Sequence, residues 1–300
     1  MTGVPQPDVP NNGRYSSPTW LLETASDTYS QSGEDGVIAT ILDLLPDSEG
    51  WCVEFGAWDG QHLSNTRNLI ESRSYAAVLI EADPDKFGDL DQFYAGRDDV
   101  VTLNQRIGFG SDDSLDAVLA GTPIPTDFDL LSIDIDGNDY HIWERMTAYE
   151  PRLVCIEYNP TIATEVRFVQ DADHAVHQGA SLLSLCELGA RKGYELVAAL
   201  QSNAFFVRRE YFPLFRIDDN APAALRADTT LVTHLFSGYD GLVILDGARR
   251  LPWHDADIRA SRVQQVPRVF RSYPGSWGKL RSLGFVLSQA LAQKRRPNRQ

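Results

Sequence analysis

Five short apolar runs between residues 51 and 157 each stop at a glycine or a polar side chain. They are Trp51–Phe55 before Gly56, 76–80 before Glu81, 100–103 before Asn104, 128–133 before Asp134, and 153–156 before Glu157. Helical patterns separate them, and an alternation of strands and helices folds as βαβ units with parallel strands. Such strands are covered on both faces, which is why the runs are mostly apolar rather than strictly alternating. Their polar ends then gather on the carboxyl edge, where open α/β sheets bind ligands. Residues 38–45 read as a helix stopped by Pro46, and Leu182–Lys192 as another stopped by Gly193. Residues 194–198 and 204–207 read as a closing antiparallel pair. The expected fold is therefore α/β, a mostly parallel central sheet with an antiparallel closing strand.

Three segments follow from this pattern. Residues 1–28 carry Pro5, Pro7, Pro10 and Pro18 and read as a flexible arm. Residues 29–210 hold the sheet, and 211–300 form an extension. Within the extension 242–245 read as a strand, and Trp277, Leu280, Leu283, Leu287 and Leu291 mark an amphipathic helix ending in Lys294-Arg295-Arg296. No apolar run reaches the roughly 18 residues of a membrane span. No basic-then-apolar leader opens the chain, and Cys52, Cys155 and Cys186 lie apart in apolar surroundings as reduced thiols would. A cytoplasmic location is expected.

Charge is unevenly placed. The net charge is −15, which speaks against nucleic acid as a partner of the whole surface. Residues 249–300 nevertheless hold twelve Lys or Arg against two Asp, a local +10, and leave −25 on the other residues. A polarised chain of this kind expects an anionic contact at its C-terminal end.

The strongest motif is Val53-Glu54-Phe55-Gly56-Ala57-Trp58-Asp59-Gly60, a strand running into a glycine turn. Glycine lets backbone turn sharply and approach a ligand closely. The spacing is neither the dinucleotide G-x-G-x-x-G nor a phosphate-binding loop, which would add Lys-Ser/Thr. An acid two residues before the first glycine suits an ammonium group rather than a pyrophosphate. Glu81, ending the next strand, is placed to accept both hydroxyls of a ribose.

With these residues in view the chain resembles class I methyltransferases, and among them the FkbM-type family. The resemblance runs from about Tyr29 to Arg209. It rests on Tyr29-Ser30-Gln31-Ser32-Gly33-Glu34-Asp35-Gly36, on residues 54–60, on Leu63-Ser64-Asn65-Thr66, on Glu81 and on Ile133-Asp134-Ile135-Asp136-Gly137. It implies a Rossmann-like fold and S-adenosyl-L-methionine (SAM) as cofactor. It places Glu54, Gly56 and Gly60 at the methionine part, Glu81 at the ribose, Asn104 by the adenine, and Gln31 and Asn65 at the amino-acid tail, and it counts Asp59 among the cofactor-binding residues.

Asp134, Asp136 and Asp139 put three carboxylates within six residues at one strand end, and Glu157 and Asn159 follow the next strand. An EF-hand is excluded, since its sixth and twelfth positions are Asp139 and Arg145 instead of Gly and Glu. Like charges this close need a cation or protons between them. Oxygen donors without paired Cys or His point to Mg²⁺. The arrangement resembles metal-dependent O-methyltransferases, which implies Asp134, Glu157 and Asn159 as metal ligands. It departs from them in that Tyr158 separates the last two. Two readings stay open: a bound Mg²⁺, or Asp134 and Asp136 binding acceptor hydroxyls and acting as base without metal. His141 is a further candidate base, and His174 and His177 are candidates to line the acceptor pocket.

The function expected is O-methylation of a sugar, glycan or glycosylated natural product. The alternatives are a non-catalytic SAM- or nucleoside-binding protein of the same fold, or an RNA or DNA methyltransferase. A nucleotide-sugar epimerase or dehydrogenase would need a Tyr-x-x-x-Lys pair, which the chain lacks. Expected partners are a small or carbohydrate-like acceptor, a second copy of the chain, and an anionic membrane touched by the C-terminal helix.

Overall fold

A computed structural model describes residues 17–294, with side chains through 290. The chain divides into two compact units, 1–229 and 230–300. In the first, α1 (Glu34–Leu44), β1 (Trp51–Phe55), α2 (Arg67–Arg73), β2 (Ala76–Glu81), α3 (Pro84–Phe93), β3 (Val100–Asn104), α4 (Leu115–Leu119), β4 (Leu130–Ile133), α5 (Asp139–Arg145) and β5 (Leu153–Glu157) alternate. They are followed by α6 (Leu182–Lys192), β6 (Tyr194–Ala199), β7 (Asn203–Arg208) and α7 (Pro222–Leu225).

Seven strands make one sheet in the order β3-β2-β1-β4-β5-β7-β6. β1 pairs in parallel with β2 and β4, and β4 with β5, while β7 runs antiparallel to both β5 and β6. This is a mostly parallel Rossmann-like α/β sheet with an antiparallel closing strand, as expected. Phe55 stands level with Ile80 on one side and Ile133 on the other, so β1, β2 and β4 finish together. The strand order reverses direction between β1 and β4, and a crevice for ligand opens at such a point.

The local chemistry explains the element ends. Asp83 caps α3 by accepting from the amides of Asp85 and Lys86, with Pro84 in the first turn. Ser181 caps α6 through the amide of Ser184, and Gly193 closes that helix in the left-handed conformation. α1 starts four residues before the apolar periodicity, because Gly33, at φ 100°, turns the chain into it.

The sheet's apolar strands and the inner faces of α1 and α6 form one core, and Trp20 and Leu21 belong to it. That corrects the expected arm from residue 17 on. The Trp20 indole N–H donates to the carbonyl of Phe215 at 3.1 Å, so the segment is packed and pinned. Residues 1–16 lie outside the described residues. The first unit also reaches past residue 210: Phe215, Leu225 and Arg226 are buried in it. The Arg226 guanidinium donates to the carbonyls of Pro160 and Ile162 at 2.6 and 2.7 Å, which fixes the loop after β5. Cys52 and Cys155 are buried and Cys186 is half-buried, all with free thiols.

The second unit contains the hairpin β8 (Thr233–Ser237) and β9 (Val243–Gly247), where one strand was expected. The short pair β10 (Arg250–Leu251) and β11 (Ala256–Asp257), α8 (Ala260–Val263) and α9 (Lys279–Lys294) follow. Trp277 is not on the helical stripe; it precedes α9 in extended backbone and packs on Phe270 and Phe285. Arg295 and Arg296 lie outside the described residues. No described helix is long and apolar enough to cross a membrane.

Candidate functional site

The turn after β1 is tied to its neighbours on both sides. The amides of Gly56 and Ala57 both donate to the Ile80 carbonyl at 3.1 Å. Gly56 has φ +79°, and a Cβ there would lie 1.8 Å from the carbonyl oxygen of Asp134. Only glycine fits between the β1 turn and the end of β4. Gly60, at φ +70°, is confined by side chains instead: its Cβ would lie 2.5 Å from the Leu90 Cδ1 methyl.

Glu81 is buried at the end of β2, where one carboxylate oxygen accepts from the Trp58 amide at 2.8 Å and the other from the Asp83 amide at 2.7 Å. Two anchored oxygens face the turn, each with a lone pair left for a ligand hydroxyl. Trp58 has φ 51°, its ring is half exposed, and the Lys86 ammonium sits 4.5 Å from the ring centre. Asn104 donates from its side-chain amide to the Glu81 carbonyl at 2.9 Å, which orients it at the edge of β3.

Asp59 accepts from the amides of Gln61 and His62, both at 2.9 Å, and its other oxygen meets His62 Nδ1 at 2.5 Å. Burial alone would raise its pKa, but these donors outweigh burial and hold the carboxyl below its ordinary value.

Glu54 turns inward rather than toward the open edge. It accepts from Ser64 Oγ and Thr66 Oγ1, both at 2.7 Å, and from the Asn65 amide at 2.8 Å. Burial nevertheless raises it above the ordinary carboxyl value. The Asn65 side chain is buried as well and donates to Ser132 Oγ at 3.1 Å. Glu54 and Asn65 thus build the loop beneath the edge, and their side chains are engaged within the protein. The Gln31 side chain is exposed and its backbone amide donates to Glu34 at 3.2 Å.

The structure brings Asp134, Asp136 and Glu157 together, with a carboxylate oxygen from each within 4.8 Å of the others. Burial raises the Asp134 pKa well above the ordinary value, helped by Asp139 and Asp136. Burial and then Asp134 push Glu157 up to about 10. Without a cation this group keeps protons at neutral pH.

Asn159, expected as a metal ligand, is hydrogen-bonded within its own loop. Its side-chain oxygen accepts from the amide and the hydroxyl of Thr161 at 2.9 and 2.7 Å, and its NH₂ donates to the Gln178 carbonyl. It closes an Asx-type turn. Asp136, at φ 56°, is the residue that joins the other two. The sequence marked it as a base candidate and did not place it in one group with Asp134 and Glu157, because spacing along the chain does not show which way a turn aims its side chain.

Asp139 holds that turn in shape. It is buried and accepts from the amides of Ile135 at 3.0 Å and Gly137 at 2.9 Å, and burial pushes it to about 6 against those hydrogen bonds. His141 Nε2 donates to the Gln170 carbonyl at 2.8 Å, so that nitrogen carries the hydrogen and anchors the loop after β5. Only its Nδ1 remains for base work. His177 Nδ1 donates to the Asp136 carbonyl at 3.1 Å, and His174 stacks on Phe109 with centroids 4.7 Å apart. Phe109 also meets His141 edge-on, so three rings cluster beside the acidic turn. No sequence signal singled out Phe109.

No family model matches this chain, and no curated protein matches it either. Among solved structures it is similar to the N-terminal domain of EvdMO1 with SAH bound, at 12% identity and TM-score 0.39, over 60% of this chain and 82% of that one. It is similar to the glycopeptide N-methyltransferase MtfA complexed with SAM, at 12% identity and TM-score 0.33, over 62% of this chain and 93% of that one. The mitomycin 7-O-methyltransferase MmcR is similar at 14% identity and TM-score 0.32, over 58% of this chain and 54% of that one. Likeness at this level decides nothing about activity; the class of the fold is set by strand order and register.

Proposed function

We propose that this chain is a SAM-dependent methyltransferase that methylates a hydroxyl of a sugar, glycan or glycosylated natural product. One observation carries the reading: two carboxylate sites flank the Gly56 turn on one sheet edge, with Glu81 at the end of β2 and Asp134, Asp136 and Glu157 at the ends of β4 and β5. The first suits a ribose diol and the second a reacting hydroxyl. In this reading Gly56 and Gly60 let the methionine part approach the backbone, Asp59 keeps the turn closed, and Asn104 faces the adenine. Glu54, Asn65 and Gln31 act through the loops they hold.

The acceptor oxygen attacks the methyl carbon opposite sulfur. The C–S bond breaks with its electron pair moving to sulfur, and the acceptor proton passes to Asp134 or Asp136. Burial, then Asp139 and Asp136, raise the Asp134 pKa above the ordinary carboxyl value, so its ionised form takes a proton more readily than a free carboxylate would.

The all-oxygen group fits a hard divalent cation such as Mg²⁺, which Asp134, Asp136 and Glu157 would hold. Such an ion would neutralise the cluster and polarise the acceptor hydroxyl.

The deciding experiment is calorimetry with SAM and its demethylated product, followed by incubation with labelled SAM and a glycan extract. Micromolar-range binding and label on a carbohydrate are expected. No heat with either ligand would overturn the reading, and label on protein or nucleic acid alone would overturn the acceptor class.

A further inference from the structure

The second unit leaves an apolar row uncovered. Its helix α9 packs one side through Phe285, whose ring lies 5.3 Å from Phe270 and 5.2 Å from Trp277. The side chains of Leu280, Leu283, Val286 and Leu287 are 88, 58, 62 and 57% exposed. At 3.6 residues per turn these four fall within about 120° of one another, a single face roughly opposite Phe285. A row of this kind on a soluble domain marks a surface that meets something.

Charge decides what it meets. From 258 to 300 there are ten Lys or Arg and no Asp or Glu. Across 230–300 the count is twelve basic residues against four acidic, a net of +8. Pairing α9 with a second α9 would bring cation against cation, whereas anionic headgroups would neutralise the same residues. A sixteen-residue helix with an apolar face and basic surroundings is long enough to lie in the headgroup layer and too short to span the bilayer.

We infer that α9 is a contact for an anionic lipid surface. Leu280, Leu283, Val286 and Leu287 enter the acyl boundary, while Lys279 and the basic residues around the helix meet the headgroups. The inference is independent of the methyl-transfer reading.

The test sediments the full chain with vesicles of phosphatidylcholine alone and of an equal mixture of phosphatidylcholine and phosphatidylglycerol. The chain should pellet with the mixture at low salt, leave it as salt rises, and ignore phosphatidylcholine alone. The double variant Leu280→Ser/Leu287→Ser keeps the charge and removes apolar area, and should lose at least about tenfold in partition. Both side chains are exposed, so an unchanged circular dichroism spectrum and melting curve are expected for it. Failure to pellet with the mixture at low salt overturns the inference. So does undiminished pelleting of the double variant, which would make the adsorption purely electrostatic. A concentration-dependent dimer that the variant disperses overturns it too, since a second copy would then cover the row.

Discussion

The carboxylate of Glu81 accepts the backbone amide of Trp58 at 2.8 Å, so the acid ending β2 is fastened to the glycine turn after β1. A residue expected only to touch ligand therefore also shapes the loop that receives it.

Replacing Glu81 tests both jobs. Glu81→Ala should weaken SAM and its product about ten- to a hundredfold, the worth of a bidentate hydrogen bond to a charged group. Glu81→Gln keeps one acceptor and should fall between. Calorimetry on variants with unchanged circular dichroism reads the effect, and unaltered affinity in Glu81→Ala would remove Glu81 from the cofactor site.

The glycine turn predicts a stability effect. Gly56→Ala places a Cβ 1.8 Å from the Asp134 oxygen and keeps a positive φ, so backbone must move. A loss of about 2 kcal/mol or more is expected, read as a fall in denaturation midpoint. A variant as stable as the parent would mean that the β1 and β4 turns separate freely.

The acidic group predicts a pH dependence. Burial and the neighbouring Asp134 lift Glu157 from 4.5 to about 10 in the folded chain. Between those values the folded state keeps a proton that the unfolded state has released, so stability is greatest at the low end and is lost as pH rises. In excess chelator the melting temperature should decline across this range, and Glu157→Gln should flatten the decline. Parallel curves for the two proteins would show that Glu157 ionises normally. Added Mg²⁺ should raise the parent's melting temperature most at high pH, because the ion binds the deprotonated group.

Asp139→Asn probes the turn itself. The amide side chain retains one acceptor and turns a donor toward the second backbone amide, at a cost of about 1–3 kcal/mol. Methyl transfer should fall more than SAM binding, because the turn presents Asp134 and Asp136 rather than the cofactor residues. Equal losses in both would place Asp139 in general stability alone.

Much of the sheet was legible because buried parallel strands are continuous apolar runs. The ends of β1, β2 and β3 fall at Phe55, Glu81 and Asn104, where polarity changes. What periodicity could not show was set by polar contacts across the fold. Trp20 is buried through its bond to Phe215, nearly 200 positions away in sequence. Glu54 looks like a ligand residue in the string, yet Ser64, Asn65 and Thr66 occupy it. Asn159 follows β5 where a metal ligand was expected, but a hydroxyl two residues on takes its oxygen. Side-chain direction within a turn is a three-dimensional property, and residue type alone does not carry it.

The contact between Gly56 and the Asp134 carbonyl has a consequence for how such a chain can diversify. With no room for even one methyl group there, the turn after β1 and the turn after β4 meet backbone to backbone, so in the proposed reading the donor pocket and the acidic group would share a wall one backbone thick. Remodelling the β4 turn for a different acceptor would push directly on the donor pocket. Changes in acceptor choice are therefore least disruptive in the loops around Phe109 and 166–179, which border the acidic turn without forming that wall.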